Sequence, residues 1–358
     1  MFKLPISRLR WAVVPAQAVG LVAAQLVSYE GFDDYAASAR VESGSNTTSG
    51  TGLDRGLAWG GPYNVRNSIK SLVKIEDRTS SPVNYANGEI HIPGGDRALR
   101  FYDAANGTFA VQRPLGTRFD AAAGDPLWFS LLFRTNNASP LGDQDFFQIG
   151  FDDNPDAESG NPRVSIGAST TSATSFPADC QFFARSTTSV TASVFSETLP
   201  IAAVTTYLLV GRIQPHAGVY DSVSLFVDPS TLDDPGPPSA SITLPSGLTT
   251  LSHVLIRTAY LDNGDAYVLD EWRIGRDYGS VVQSLQGALQ ILPADAPGGS
   301  PTLRWPAPLT GVVLETSTTL APDSWTEVTG PFITSGVNHE LPIPIAPGTP
   351  SGFFRLRR

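Results

Sequence analysis

Short apolar runs that alternate with polar residues constrain the fold of this chain more than any other feature. Two clear examples are "LWFSLLFRT" (127–135) and "DFFQIGFDD" (145–153). Similar runs continue to "SHVLIRTAY" (252–260), and clusters of Gly, Pro, Asp and Asn separate them. The 33 glycines and 29 prolines favour many turns over long helices. Because runs such as "WFSLLF" are apolar on both faces, the pattern predicts antiparallel strands in two packed layers, a sandwich or a barrel.

The chain divides into four predicted segments. Basic residues followed by "WAVVPAQAVGLVAAQ" (11–25) are typical of an export signal, which we place at residues 1–24. The main β-domain is predicted at 28–283. It is followed by a predicted linker at 284–301, where the composition changes to the Pro-, Gly- and Ala-rich "LPADAPGGSPT" (292–302). Several short strands in residues 302–358 predict a small β-module. We therefore expect a secreted or cell-surface protein that does not insert into a membrane once the signal is removed.

The acidic balance of the chain limits its partners. The formal net charge is −10, and charged residues make up only 16% of the sequence. Nucleic acids need a basic surface, so they are not expected partners, whereas neutral glycans and divalent cations are compatible. The single cysteine, Cys180, excludes an intramolecular disulfide and any site with several thiolate ligands.

Three stretches carry a family resemblance: "SYEGFDDYAA" (28–37), "LDEWRIGRDYGSVV" (269–282) and the tail that begins "LRWPAP" (303–308). They resemble laminin-G-like, concanavalin A-like jelly-roll domains of secreted verrucomicrobial and planctomycete-type bacterial proteins, which carry a short C-terminal β-module. The resemblance implies an all-β, antiparallel jelly-roll β-sandwich of the concanavalin A-like lectin/glucanase type, followed by a small β-sandwich-like module. It implies little about activity, because this sandwich hosts lectins, adhesins, glycosidases and structural modules.

Motifs for catalysis are missing from the sequence. Glucanases of this fold carry Glu-x-Asp on one strand, and no Glu-x-Asp occurs in this chain. There is no Gly-x-Ser-x-Gly elbow and no His-Glu-x-x-His. A glycoside hydrolase or lyase would need a non-standard carboxylate pair drawn from distant strands, and this is the less favoured alternative.

Calcium is the metal that the acidic loops favour. Asp152, Asp153 and Asp156 follow one predicted strand, and Asp262 and Asp265 precede another. Several oxygen ligands on short loops are what Ca²⁺ requires, and laminin-G-like domains often hold calcium at the rim of the sheet. Ordinary Asx turns explain the same residues without a metal, so both interpretations stay open.

Aromatic residues in predicted loops are the candidates for sugar binding. Rings stack on the C–H faces of sugars while polar neighbours bind the hydroxyl groups. The candidates are Trp59, Tyr63 and Tyr260. Trp128 and Trp272 lie in predicted strands and are assigned to the core.

Asp270 raises a question of its own, because strict alternation in "VLDEWRIG" (268–275) puts it on the apolar side with Val268 and Trp272. We predict that Asp270 and Trp272 are structural: buried hydrogen bonds to the carboxylate would fix the register of the last strand. Glu271 and Arg273 would then face outward or towards the second sheet edge. The alternative is that Asp270 completes a calcium site with the loop before it.

These observations predict an exported, non-enzymatic protein that binds extracellular polysaccharide or a cell-surface component. The alternative is a structural or adhesive surface protein that makes protein–protein contacts.

Overall fold

The structure of the protein is a computed structural model. It describes residues 26–33, 35–39, 41, 53–56, 58–65, 73–102, 107–135, 146–153, 162–170, 180–187, 193–196, 201–202, 204–261, 266–282, 289–292, 300–306, 313–319, 324–335, 338–343 and 353–357. The predicted signal at 1–24 and three of the calcium candidates (Asp156, Asp262 and Asp265) lie outside these ranges. Within them, no helix has the length and apolar character needed to cross a membrane.

The main domain is built from strands, as the alternating runs predict. In chain order they are β1 (Leu26–Glu30), β2 (Asn64–Val65), β3 (Val73–Asp77), β4 (Tyr85–Asn87), β5 (Ile90–Ile92), β6 (Arg97–Tyr102), β7 (Gly107–Asp120), β8 (Leu127–Thr135), β9 (Phe146–Asp152), β10 (Val164–Thr170), β11 (Cys180–Arg185), β12 (Ser193–Phe195), β13 (Thr206–His216), β14 (Val219–Val227), β15 (Ala240–Leu248), β16 (Thr250–Leu261) and β17 (Ala266–Gly275). A short helix, α1 (Tyr278–Val282), follows the last of them.

Two antiparallel sheets form the sandwich. The eight-stranded sheet has the order β15-β14-β13-β8-β17-β6-β3, and β1 adds to it by pairing with β17. The seven-stranded sheet has the order β12-β11-β10-β9-β16-β7-β2. The chain repeatedly crosses between the sheets, for example from β6 to β7 and then to β8. This is the antiparallel jelly-roll β-sandwich that the sequence predicts.

The main hydrophobic core lies between the two sheets. Phenylalanines from both sheets meet there: the rings of Phe129 and Phe151 are 4.9 Å apart, and those of Phe133 and Phe147 are 5.0 Å apart. Trp272 and Tyr267 of β17 belong to the same cluster. Close-packed aromatic pairs of this kind account for much of the area that a sandwich buries.

The outer face of the eight-stranded sheet is also buried. The β4–β5 hairpin and α1 form a second hydrophobic cluster with this face, which includes Ile90, Trp128, Val268 and Val281. The hydroxyl of Ser130 donates a hydrogen bond to the carbonyl of Val281 in α1. Central strands of this sheet are therefore buried on both faces, which explains their nearly continuous apolar runs.

A β-bulge in β17 overturns one sequence prediction. Asp270 pairs with Leu132 but Arg273 pairs with Ser130, so β17 holds one extra residue at this point, and Glu271 has a φ of 50°. The bulge changes the side to which each following residue points. Trp272 joins the core between the sheets, whereas Val268 packs in the outer cluster. The strict alternation assumed for 268–275 is therefore wrong.

The C-terminal module is a separate pair of small sheets. Its strands are β18 (Gln290–Leu292), β19 (Thr302–Pro306), β20 (Val313–Ser317), β21 (Thr326–Glu327), β22 (Ile333–Ser335), β23 (Asn338–Pro342) and β24 (Phe353–Arg357). The orders are β18-β19-β23-β22 and β21-β20-β24, and Leu303, Trp305 and Leu314 are buried in its core. Because β18 pairs with β19, this module takes in residues 290–292 of the segment predicted as a linker.

Candidate functional site

The outer face of the seven-stranded sheet is built differently from that of its partner sheet. Alternate residues such as Ile149, Ile166, Ala184 and Ile256 point into the core between the sheets. The residues between them therefore point outward. This outer side of the sheet, here called the arginine face, carries polar and aromatic side chains, namely Gln148, Ser165, Arg185 and Arg257 with Phe146 and Phe183. Arg257 is partly exposed, and the other five are buried.

Strand register places these side chains in adjacent rows. Arg185 of β11 lies between Ser165 of β10 and Ser193 of β12. In the next row, Gly167 separates Phe183 from Gln148, and Gln148 is opposite Arg257 of β16. Neighbouring strands lie about 4.8 Å apart, so the groups on this face are close enough to contact a single ligand.

Arg185 is the centre of a polar network on the arginine face. Its Nε donates to Ser193 Oγ at 2.8 Å, and its Nη1 donates to Gln148 Oε1 at 3.5 Å. Gln148 in turn donates from Nε2 to Ser165 Oγ at 2.6 Å. These bonds orient the amide and the guanidinium, so the face is organised before any ligand binds.

Aromatic rings line the two arginines. The Arg185 guanidinium carbon is 4.6 Å from the centroid of Phe183 and 5.5 Å from that of Phe146, and Arg257 is 5.4 Å from Phe146. Burial, together with the positive charge of Arg257, lowers the pKa of Arg185 to about 10. Arg185 therefore stays cationic at neutral pH and lies beside a second cation.

Trp59 and Tyr63, two of the predicted sugar-binding aromatics, do come together, but around Arg113. The Arg113 guanidinium lies 4.6 Å from each ring centroid. Trp59 also packs on Trp272 at 5.2 Å and donates from its indole nitrogen to the carbonyl of Tyr29. Tyr63 is only 4% exposed, so the expectation of an exposed loop ring is wrong for this residue. For Tyr260, the third candidate, only the backbone in β16 is described.

A buried ion pair explains why these aromatics are covered. Glu30 accepts hydrogen bonds from Arg113 Nη1 at 2.6 Å, from the Phe32 amide and from the Tyr35 hydroxyl. Burial raises the pKa of Glu30 to about 7, although Arg113 and these hydrogen bonds oppose the shift. Arg113 also donates to the carbonyls of Arg55 and Gly61. The pair therefore ties β1 and the 53–63 segment to β7 of the seven-stranded sheet.

The calcium candidates at the end of β9 have a cationic partner. Arg163 Nη2 lies 2.7 Å from Asp152 and 2.5 Å from Asp153. In the described ranges there is no group of three or more acidic, histidine or cysteine side chains that could hold a metal ion. The two carboxylates brought together here share one arginine as their ion-pair partner.

Asp270 lies in a second buried network at the β17 bulge. It accepts hydrogen bonds from the amides of Glu271 at 2.7 Å and Gly95 at 3.3 Å. Glu271 binds Arg273 at 2.6 Å and accepts the Tyr29 hydroxyl hydrogen bond at 2.8 Å. Of the two orientations expected for Glu271 and Arg273, the outward one is wrong, since both side chains are buried. The bulge and the pairing of β1 along β17 enclose them.

The residues of the arginine face were missed as a site by sequence reasoning. A signal for them exists in "CQFFARS" (180–186). Alternation puts Phe183 and Arg185 on one face of this strand and Phe182 and Ala184 on the other face. The same argument puts Gln148 on the outer side of β9. Alternation cannot show, however, that the outer faces of the two sheets differ.

Comparisons with known proteins find similarity in structure and none in sequence. No protein-family model matches the chain, and no curated protein matches it. Solved structures that it resembles include the globular domain of T. cruzi calreticulin (13% identity, 60% of this chain and 84% of that chain, TM-score 0.36). Others are peanut lectin (13%, 60% and 96%, TM-score 0.33) and an alginate lyase mutant in complex with an alginate trisaccharide (13%, 60% and 88%, TM-score 0.35). The fold assignment rests on the strand order and pairing given above.

Proposed function

We propose that this chain is an exported, non-enzymatic carbohydrate-binding protein, and that its binding surface lies on the outer side of the seven-stranded sheet, where Gln181 and Arg257 are partly exposed. The observation that carries the proposal is the difference between the two outer faces. On the eight-stranded sheet the outer face is packed beneath a hairpin and a helix in a hydrophobic cluster. On the seven-stranded sheet the corresponding positions hold an organised set of hydrogen-bonding groups and rings.

The chemistry of the face suits a sugar ligand. Amide and guanidinium groups, such as those of Gln181 and Arg257, can form hydrogen bonds with sugar hydroxyl groups. The described residues of the arginine face, the rows from Arg185 to Arg257, include no carboxylate, whereas hydrolysis of a glycosidic bond ordinarily uses a pair of them. These features support binding over hydrolysis at this face.

The test is binding of the protein to a panel of extracellular polysaccharides, with and without a calcium chelator. We expect selective binding that weakens in Gln181→Ala, because Gln181 is a partly exposed residue of β11 on the same face as Arg185. The matched control is Gln214→Ala, a partly buried glutamine on the eight-stranded sheet. Loss of binding in the presence of the chelator would indicate that calcium takes part in carbohydrate binding.

Three results would count against this proposal. Binding to no polysaccharide would reject the carbohydrate-binding role. Equal weakening by both glutamine substitutions would reject the arginine face as its location. Release of oligosaccharide fragments during incubation would show an enzyme rather than a binding protein. Export is tested separately, by fractionating cells that express the chain from residue 1.

A second candidate function is adhesion through protein–protein contacts, which the sheet edges favour. Strands β12 and β15 are edge strands of the two sheets, and each exposes an apolar side chain, Val194 and Leu244. Exposed edge strands with apolar residues are templates for pairing with another chain. Light scattering over a range of protein concentrations tests this candidate function. Self-association that Leu244→Lys abolishes would support it. A protein that stays monomeric at every concentration would reject pairing between two copies of this chain.

A further inference from the structure

Three cationic side chains, Lys74, Arg100 and Arg134, form a row across the outer face of the eight-stranded sheet, here called the basic row. Lys74 of β3 is in register with Arg100 of β6, and Val268 of β17 pairs with both Arg100 and Arg134 of β8. Val268 belongs to the outer hydrophobic cluster, so the residues paired with it point to the same outer side. Like charges directly opposite each other destabilise a sheet. Such a row, in a chain of net charge −10, is therefore not explained by folding alone.

The two arginines of the basic row differ in how their charges are compensated. Glu76 of β3 lies 2.5 Å from Arg100 Nη1 and 2.9 Å from Nε of Arg78, the residue that follows β3. The guanidinium of Arg134 has no ion pair or hydrogen bond with a described residue, and its Nε is buried. Burial lowers the pKa of Arg78, and although Glu76 opposes this shift, the charges of Arg134 and Arg100 add to it. The three guanidinium groups therefore lie close together, and Arg134 lacks a carboxylate among the described residues.

The side chains of the basic row are accessible to a ligand. The side chain of Arg100 is 25% exposed, and Lys74 and Arg134 are also partly exposed. Val268, which lies between the two arginines, is fully buried. Because neighbouring strands lie about 4.8 Å apart, the backbones of the two arginines are roughly 10 Å apart. Two side chains of this length can therefore reach one anionic group held between them above β17.

We propose that the basic row is a binding site for a phosphate group. Two planar guanidinium groups approach from opposite sides of β17, and a group with three terminal oxygens can accept hydrogen bonds from both. A phosphate monoester also carries a charge of about −1.5 to −2 at neutral pH, which suits a site with more than one cation. The ligand supplies Arg134 with the negative charge that no described residue supplies. This site is separate from the proposed carbohydrate surface on the seven-stranded sheet, and neither depends on the other.

The experiment measures dissociation constants for glucose 6-phosphate, inorganic phosphate, glucose 6-sulfate and glucose at constant ionic strength. We expect the phosphates to bind at least about tenfold more tightly than glucose 6-sulfate, which has a similar set of oxygens but a single negative charge. Glucose measures the contribution of the sugar ring alone. The order of the two phosphates identifies the source of the group: tighter glucose 6-phosphate indicates an ester, and tighter inorganic phosphate indicates the free ion.

Arg134→Gln is the decisive variant, because it breaks no ion pair between described residues and should fold. We expect it to weaken phosphate binding about tenfold, and Arg134→Lys to recover only part of the affinity, since lysine lacks the planar fork. The matched control is Arg212→Gln, a change at a partly exposed arginine on the outer face of the same sheet, beside Trp128. Phosphate should raise the melting temperature of wild type and of Arg212→Gln, and should leave that of Arg134→Gln unchanged.

Three results would overturn the proposal. No saturable binding of either phosphate to wild type would reject the site. Equal affinity for glucose 6-phosphate and glucose 6-sulfate would show that the site does not select phosphate. Equal weakening in Arg134→Gln and Arg212→Gln would show that phosphate does not bind at the basic row. None of these results depends on the polysaccharide panel, so a failure of this inference is distinct from a failure of the proposed function.

Discussion

Replacing Glu30 by glutamine tests the buried ion pair that holds β1 in the sandwich. Glu30 is 1% exposed and accepts hydrogen bonds from Arg113, the Phe32 amide and the Tyr35 hydroxyl. Burial favours the protonated acid, and the arginine favours the carboxylate. The balance between these effects raises the pKa of Glu30 from an ordinary 4.5 to about 7.

The pKa shift fixes the sign and size of a pH effect on stability. A raised pKa in the folded state means that the folded protein binds the proton more tightly than the unfolded chain does. The resulting stability is fully present below pH 4.5 and is lost as the pH rises through about 7. The difference between 4.5 and about 7 corresponds to roughly 3 kcal/mol. Glu30→Gln removes this titration.

The assay is chemical denaturation of wild type and Glu30→Gln at several pH values from 4.5 to 8. We expect the stability of wild type relative to the variant to fall by about 3 kcal/mol over this range. Glu327→Gln, at an exposed glutamate, provides the baseline. A difference that stays constant, or that grows in favour of wild type as the pH rises, would show that Arg113 keeps Glu30 ionised and would refute the reasoning.

Three further substitutions test the buried contacts. Gly94→Ala would place a Cβ about 2.5 Å from the backbone carbonyl oxygen of Val83, so we expect the unfolding free energy to fall by about 2 kcal/mol, whereas Gly330→Ala meets open space and should change little. Each carboxylate oxygen of the buried Asp270 accepts a backbone hydrogen bond, whereas asparagine has one acceptor oxygen, so Asp270→Asn should lower the unfolding free energy by about 1–3 kcal/mol, and an unchanged value would show that these hydrogen bonds are dispensable. Arg163→Gln removes the ion pair to the buried Asp152 and should lower the unfolding free energy by about 1–3 kcal/mol at pH 7; an unchanged unfolding free energy would show that the pair is dispensable.

The architecture was predictable because strands of a two-layered sandwich have a recognisable pattern. Their apolar residues either alternate with polar ones, when one face is buried, or form a continuous run, when both faces are buried. "LWFSLLFRT" is the clearest case: β8 occupies the predicted range Leu127–Thr135 and is buried on both sides. The C-terminal module was predictable from its short apolar runs in the same way.

The β17 bulge was not predictable from alternation. Nothing in "VLDEWRIG" marks Glu271 as a residue with positive φ, and one extra residue reverses the side of every residue that follows. The prediction for Glu271 and Arg273 failed for this reason. Long-range pairs such as Glu30–Arg113 join residues far apart in the chain, and a single sequence contains no signal for their contact.

The aromatic candidates show why composition predicts binding sites poorly. Trp59 and Tyr63 lie in a loop, but the ion pair of Glu30 and Arg113 draws that loop onto the sheet. The arginine face, by contrast, consists of ordinary strand residues. Its distinction lies in the neutral hydrogen-bond partners of Arg185, which are Ser193 and Gln148, and this is a property of the folded structure.

The most direct test of the account is a crystal structure of the protein with the oligosaccharide that binds most tightly in the polysaccharide panel. The account predicts that the ligand lies on the outer side of the seven-stranded sheet, in contact with Gln181 or Arg257. A ligand bound on the eight-stranded sheet or on the C-terminal module would contradict it.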